Sequence, residues 1–186
     1  MRTAERPEPY HRRSVRLRGH DYCGGVYFVT VCTAGRRRVF GRVENGQMRL
    51  SEIGRIADRE WRRTPCIRTE VSIDAFVVMP DHVHLLFALD GGATINRRGV
   101  SRYAPTPPDL GVPPGPNGDR TFASPSRSVG AVIRGYKGAV TAAVNRHRGV
   151  PGHAVWQRGY HDRVVRTARE AEAVRRYIAE NPTRWG

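Results

Sequence analysis

The stretch VVMPDHVHLLFAL, Val77–Leu89, decides how the rest of the chain is read. An apolar run of this kind has the character of buried strand, and Pro80-Asp81 inside it marks a tight turn. The stretch therefore divides into the end of one strand and its antiparallel partner, HVHLLFAL. Successive side chains of a strand point to opposite faces. Val83, Leu85, Phe87 and Leu89 then make one wholly apolar face suited to helix packing, while His82 and His84 share the other with Leu86 and Ala88. Two parallel imidazoles on a rigid strand are placed to share one metal ion and to leave positions open for a third ligand, water or substrate. The competing reading is a pair of histidines satisfied by hydrogen bonds at a sheet edge.

Working outward, VSIDAFVVMP (Val71–Pro80) reads as the strand before the turn, and VYFVTVCT (Val26–Thr33) as another, rich in β-branched and aromatic residues. RRVFGRVENGQMRLS places Asn45-Gly46 between two strand-like pieces, a hairpin turn. Ile53, Ile56, Ala57 and Trp61 follow at helical spacing, with Ser51 as N-cap and Pro65 as the expected stop. Ser128–Gly149 is helical, with Val132, Tyr136, Ala139, Val140 and Ala143 on one face. Ala154–Arg166 reads as strand or extended chain. The last helix opens on a capping box, Thr167 with Glu170, and ends before Pro182. The order of elements is that of an α+β fold with helices packed on an antiparallel sheet. Residues 1–24 read as a basic N-terminal arm and 25–186 as a single domain, interrupted at about 91–125 by a flexible Gly/Pro-rich insertion.

The chain has 186 residues, with 32 Lys+Arg against 17 Asp+Glu and a formal charge of +15. That surplus favours a polyanionic partner, nucleic acid first. The cysteines are Cys23, Cys32 and Cys66, with no C-x-x-C pair, so neither a disulfide framework nor a zinc finger is indicated. Reduced thiols and the lack of an apolar secretory segment near Met1 fit a cytoplasmic protein. No apolar run is long enough to span a membrane, so no membrane partner is expected. No G-x-x-x-x-G-K-[ST] occurs, so no nucleotide cofactor is expected.

Tyr177 and Asn181 stand four apart in the last helix and so share a face. Asparagine supplies a neutral oxygen ligand and tyrosine a nucleophilic oxygen. Together with His-x-His on a basic chain, they suggest metal-assisted attack of a tyrosine on a phosphodiester. At this point a resemblance emerges. MPDHVHLLF resembles the histidine–hydrophobe–histidine motif of HUH endonucleases. HRRSVRLRGHDY, VYFVTVCT, VWQRGYHDRVVR and RRYIAENPTRW resemble, in that order, blocks of the REP-associated tyrosine transposases, relatives of the single-tyrosine insertion-sequence transposases. The likeness covers nearly all the chain outside the Gly91–Pro125 loop.

The resemblance implies a ferredoxin-like or RRM-like core with the histidines on a central strand. It implies binding of single-stranded or hairpin DNA, and cleavage and rejoining through a 5′-phosphotyrosine. Carried over by position, Tyr177 is the nucleophile. His82, His84 and Asn181 hold a divalent metal, Mg²⁺ or Mn²⁺. Asp81 stands where the family commonly has asparagine and puts a carboxylate beside the metal site. Arg12, Arg13, Arg16 and Arg18 are candidate phosphate contacts, and Gln157 a candidate DNA contact. Monomer and dimer both stay open. Two other readings compete: a non-catalytic DNA-binding protein derived from the same family, and an RNA-binding or RNA-processing protein, since RRM-like sheets also suit single-stranded RNA.

The charge surplus yields a measurable expectation. Affinity for single-stranded DNA should fall steeply with added salt, because protein-bound phosphates release their counterions. Titrations across a salt series check this; a flat profile would mean that the basic surface is not the binding surface.

Overall fold

The computed structural model describes residues 24–90 and 127–185. Apart from Gly24, the expected arm with Arg12, Arg13, Arg16 and Arg18 lies outside the described residues, as does the expected 91–125 insertion.

Strand β1 (Gly25–Cys32) lies at the centre of a four-stranded antiparallel sheet. A hairpin of β2 (Gly41–Glu44) and β3 (Gln47–Leu50) comes next, then α1 (Glu52–Ile67), β4 (Val71–Val78), β5 (His82–Leu89), α2 (Val129–Arg148), β6 (His161–Val165) and α3 (Ala168–Glu180). The sheet order is β4-β5-β1-β6, each neighbouring pair antiparallel. Without the hairpin and α3, the sequence β1-α1-β4-β5-α2-β6 with this order is the ferredoxin-like arrangement, an α+β fold. Asn45 and Gly46, both at positive φ (51° and 71°), close the β2–β3 hairpin as the two-residue turn that suits strand twist.

Alternation along β1 and β5 builds the main core. Tyr27, Val29, Val31, Val83, Leu85, Phe87 and Leu89 face α1 and α2 and are buried. Trp61 of α1 meets Phe87 and Tyr136 edge-on, at 5.3 and 5.2 Å between ring centroids. The Tyr136 hydroxyl donates to the Ala57 carbonyl at 3.1 Å, and burial pushes its pKa up, so it stays a neutral donor. Along α2 the buried stripe runs through Val129, Val132, Ile133, Tyr136, Val140 and Val144, while Ala139 and Ala143 flank it half-buried.

Local chemistry sets the helix ends, with two departures from expectation. Ser51 caps α1 by accepting the Gly54 N–H at 3.1 Å, a contact worth about 1 kcal/mol. Pro65 does not stop α1, which runs on to Ile67. Proline removes only its own N–H, and the Arg68 N–H still closes on the Thr64 carbonyl at 2.8 Å. Of Ala154–Arg166, only His161–Val165 joins the sheet ladder, with Trp156 forming an isolated bridge to Thr33. The Lys137 ammonium takes the Gln157 and Gly159 carbonyls at 2.7 and 3.0 Å in the stretch before β6. Thr167 caps α3 at the Glu170 N–H, 3.1 Å away. The Glu170 carboxylate reaches back to the Arg166 N–H at 2.8 Å, which holds its pKa below the usual range.

A second, smaller apolar cluster lies on the opposite face of the sheet. There Ala171, Val174 and Ile178 of α3 pack on Leu86 and Val165. The last helix therefore lies across the face that carries His82 and His84.

Two helical glycines should respond in opposite senses to alanine. A Cβ on Gly54 would overlap the Phe40 carbonyl oxygen, which is itself fixed by the Ser51 N–H at 2.9 Å. A Cβ on Gly138 meets nothing. Gly138→Ala should raise stability by about 0.5–1 kcal/mol. Gly54→Ala should lower it despite the same propensity gain, because a backbone carbonyl cannot swing aside. Urea midpoints of the two variants measure both shifts.

Candidate active site

The site is built on three elements. Strand β5 supplies His82 and His84, only 6% and 5% exposed. Their Nε2 atoms face each other at 3.0 Å. Helix α3 supplies Tyr177, a residue 40% exposed whose hydroxyl lies 3.3 Å from His84 Nε2. Strand β1 supplies Thr30 and Phe28 by register, Thr30 opposite His84 and Phe28 opposite Leu86. Phe28 stacks on His84 at 5.3 Å and meets Tyr177 edge-on at 5.9 Å. The apolar contacts of α3 with Leu86 and Val165 thus bring Tyr177 over the histidines.

Hydrogen bonds at the far ring nitrogens decide what the near ones offer. His82 Nδ1 lies 2.6 Å from Asp81 Oδ1. A carboxylate only accepts, so Nδ1 carries the hydrogen and Nε2 carries the lone pair. His84 Nδ1 lies 2.9 Å from the Thr30 hydroxyl, which can donate or accept. With the hydroxyl donating, His84 Nε2–H points at His82 Nε2. With the hydroxyl accepting, both Nε2 lone pairs face a common point, the arrangement a divalent cation requires. Burial lowers both pKa values, that of His84 to about 3, so the rings are neutral near pH 7 and able to ligate. The donor set fits such a cation: two neutral imidazoles backed by a carboxylate and a hydroxyl. Among the described residues, no group of three or more His, Cys, Asp and Glu side chains could hold a metal. Further ligands would have to come from another residue type, water or substrate.

Asn181 caps α3 in helical conformation, and its backbone N–H donates to the Ile178 carbonyl at 3.4 Å. No hydrogen bond joins its side chain to the histidines. Gln157 lies before β6, where its N–H donates to the Cys32 carbonyl at 2.9 Å, one cross-strand step from His82. Several site residues went unnoticed in the sequence. Thr30 and Phe28 occupy alternate positions of β1 and were legible only once its register against β5 was known. Arg36 pairs with Asp81 at 3.2 Å, yet it stands in a run of three arginines that nothing distinguishes locally. Trp185, 5.7 Å from His82 between ring centroids, follows the last helix with no periodic signal.

No family model matches the chain. A protein of Haemophilus influenzae, described only as uncharacterized, is 29% identical over 181 residues, covering 95% of this chain and 91% of its own. Among solved structures, a REP-associated tyrosine transposase bound to a REP hairpin matches with a TM-score of 0.52 at 20% identity, over 90% of this chain and 72% of that one. This chain has that transposase's fold. No helix among the described residues is long and apolar enough to cross a membrane.

The lowered histidine pKa values have a consequence for stability without metal. The unfolded ring protonates near its ordinary value of 6.5, whereas folded His84 resists protonation down to about 3. Its contribution is therefore complete above about pH 6.5 and declines between there and pH 3, where the folded ring protonates too. The decline is at most about 1.4 kcal/mol per pH unit for this one group. Urea unfolding in chelator across that range should show stability falling as pH falls, and His84→Gln should flatten the fall.

Proposed function

We propose that the protein is a single-tyrosine transposase of the REP-associated kind, which cleaves and rejoins single-stranded or hairpin DNA through a 5′-phosphotyrosine. The observation that carries this reading is the convergence of three groups: the Tyr177 hydroxyl lies 3.3 Å from His84 Nε2, which lies 3.0 Å from His82 Nε2. A fold shared with a REP-associated tyrosine transposase solved on a REP hairpin supports DNA as the substrate. The charge of +15 supports a polyanion.

His82, His84 and Asn181 are the proposed ligands of Mg²⁺ or Mn²⁺, which when bound would polarise the scissile phosphate and offset developing charge. Asp81 and Thr30 hold the imidazoles in orientation. Phe28 holds the Tyr177 ring against His84. The Tyr177 oxygen attacks phosphorus and its proton leaves to solvent. The bond from phosphorus to the 3′ oxygen breaks, and that oxygen takes up a proton to leave as a 3′ hydroxyl. The phosphotyrosine keeps the bond energy, so a second 3′ hydroxyl can reverse the step on another strand end without a nucleotide cofactor.

Phenylalanine at 177 keeps the ring and its contacts but deletes the attacking oxygen. Tyr177→Phe should fold and bind a DNA hairpin as the wild type does, yet give no covalent protein–DNA band on a denaturing gel. His82→Ala and His84→Ala should each abolish the band, as should chelator. Asn181→Ala should slow it less, because water can take one ligand position of three. A band that survives in Tyr177→Phe would exclude this nucleophile. A wild type that binds every hairpin offered and never forms a band would favour a non-catalytic DNA-binding protein.

A further inference from the structure

Two arginines on the segment after β1 approach the histidine pair, and they differ in what holds them. Arg36 has a left-handed backbone, φ 54°, a conformation that a residue with a Cβ adopts at a cost. Arg37 follows in extended conformation, and its own guanidinium turns away to the Ala34 and Ala154 carbonyls at 3.1 and 3.4 Å. Arg36 and Arg38, on either side of it, take different partners. Arg36 Nε meets Asp81 at 3.2 Å, and Asp81 holds His82. Its charge is offset by that carboxylate. Arg38 is exposed and lies over the Trp185 indole, 5.5 Å from the ring centroid. Trp185 in turn lies 5.7 Å from His82. Among the described residues Arg38 has no carboxylate partner. An aromatic ring orients a guanidinium without neutralising it.

We propose that Arg38, mounted on Trp185 at the His82 end of the site, anchors the DNA phosphate next to the scissile one. This rests on the tyrosine-transfer reading of the site. Arg36 is by contrast a positioning residue that acts through Asp81. The division follows from charge. A phosphate meeting Arg38 gains an uncompensated cation and releases a counterion, whereas one meeting Arg36 must compete with Asp81. Trp185 keeps the flexible arginine stem in place, so the anchor and the nucleophile engage one strand in a fixed relation.

The test uses the full chain and a labelled DNA hairpin with a single-stranded tail, titrated over a salt series in parallel with the covalent-band assay. Arg38→Gln should lower the slope of log affinity against log salt by about 0.7, the value for one phosphate contact on a single strand. Arg36→Gln should leave the slope unchanged. Trp185→Leu, which keeps the charge and removes the mount, should keep the slope but slow formation of the covalent band. Thermal midpoints near wild type would verify that all three variants fold. If Arg38→Gln keeps the wild-type slope, or if Arg36→Gln loses as much as Arg38→Gln, the anchor assignment is wrong, whatever the covalent band does. If the wild type forms no band but Arg38→Gln still loses slope, the anchor stands as a DNA contact and the transfer chemistry falls. If Trp185→Leu forms the band at the wild-type rate, the mount is overturned.

Discussion

Strand β5 lies between β4 and β1 and is covered on both faces, so every one of its side chains has to be satisfied inside the protein. On one face that demand is met by packing: Val83, Leu85, Phe87 and Leu89 enter the core under α1 and α2. On the other, Leu86 meets α3, but the two imidazoles cannot be satisfied by apolar neighbours. They draw in Asp81 and Thr30, and through Asp81 they draw in Arg36. The strand that closes the core is therefore the strand that assembles the polar site, and neither can shift by one residue without destroying the other.

The electrostatics of the pair follow from that burial. Each imidazole is kept neutral by its surroundings, so the two rings can approach to 3.0 Å without repulsion. Their outer nitrogens have different kinds of partner. Asp81 commits His82 to one tautomer, while the Thr30 hydroxyl permits His84 either one. With one fixed and one adaptable ring, the pair can either close a hydrogen bond on itself or turn two lone pairs to a common point. Asp81 itself is 6% exposed, with Arg36 and His82 as its partners, so its charge is not left buried alone.

Period-two alternation in β5 was strong enough to place the core face and the histidine face from the sequence. The hairpin at Asn45-Gly46 and the caps at Ser51 and Thr167 were equally plain, because each depends on a side chain or backbone preference of its own residues. Pro65 misled because a proline near a helix end removes one hydrogen bond that the following turn does not need. Ala154–Arg166, read as strand or extended chain, divides into the ladder strand His161–Val165 and a first part tied to the end of β1 by single backbone bonds and to Lys137 by two carbonyls. The site was legible where its residues stand in short patterns, as His82 with His84 do. Thr30, Phe28, Arg36 and Trp185 belong to it only through sheet register and the path of the C-terminal turn, which no local pattern encodes.

Tyr177 sits on an element with its own, smaller apolar contact. Helix α3 is held to the sheet by Ala171, Val174 and Ile178, while the larger cluster under α1 and α2 fixes the rest. Elements with few buried contacts open at a lower free energy than the whole domain. The Asp74–Arg175 pair, joined in bidentate fashion by two hydrogen bonds of 2.7 Å, clips α3 to the edge strand β4. Helix α3 is therefore the element least tied to the main core. In the proposed transfer reaction the joined strand end would ride on that element, while the histidines stay on the most deeply buried strand, β5.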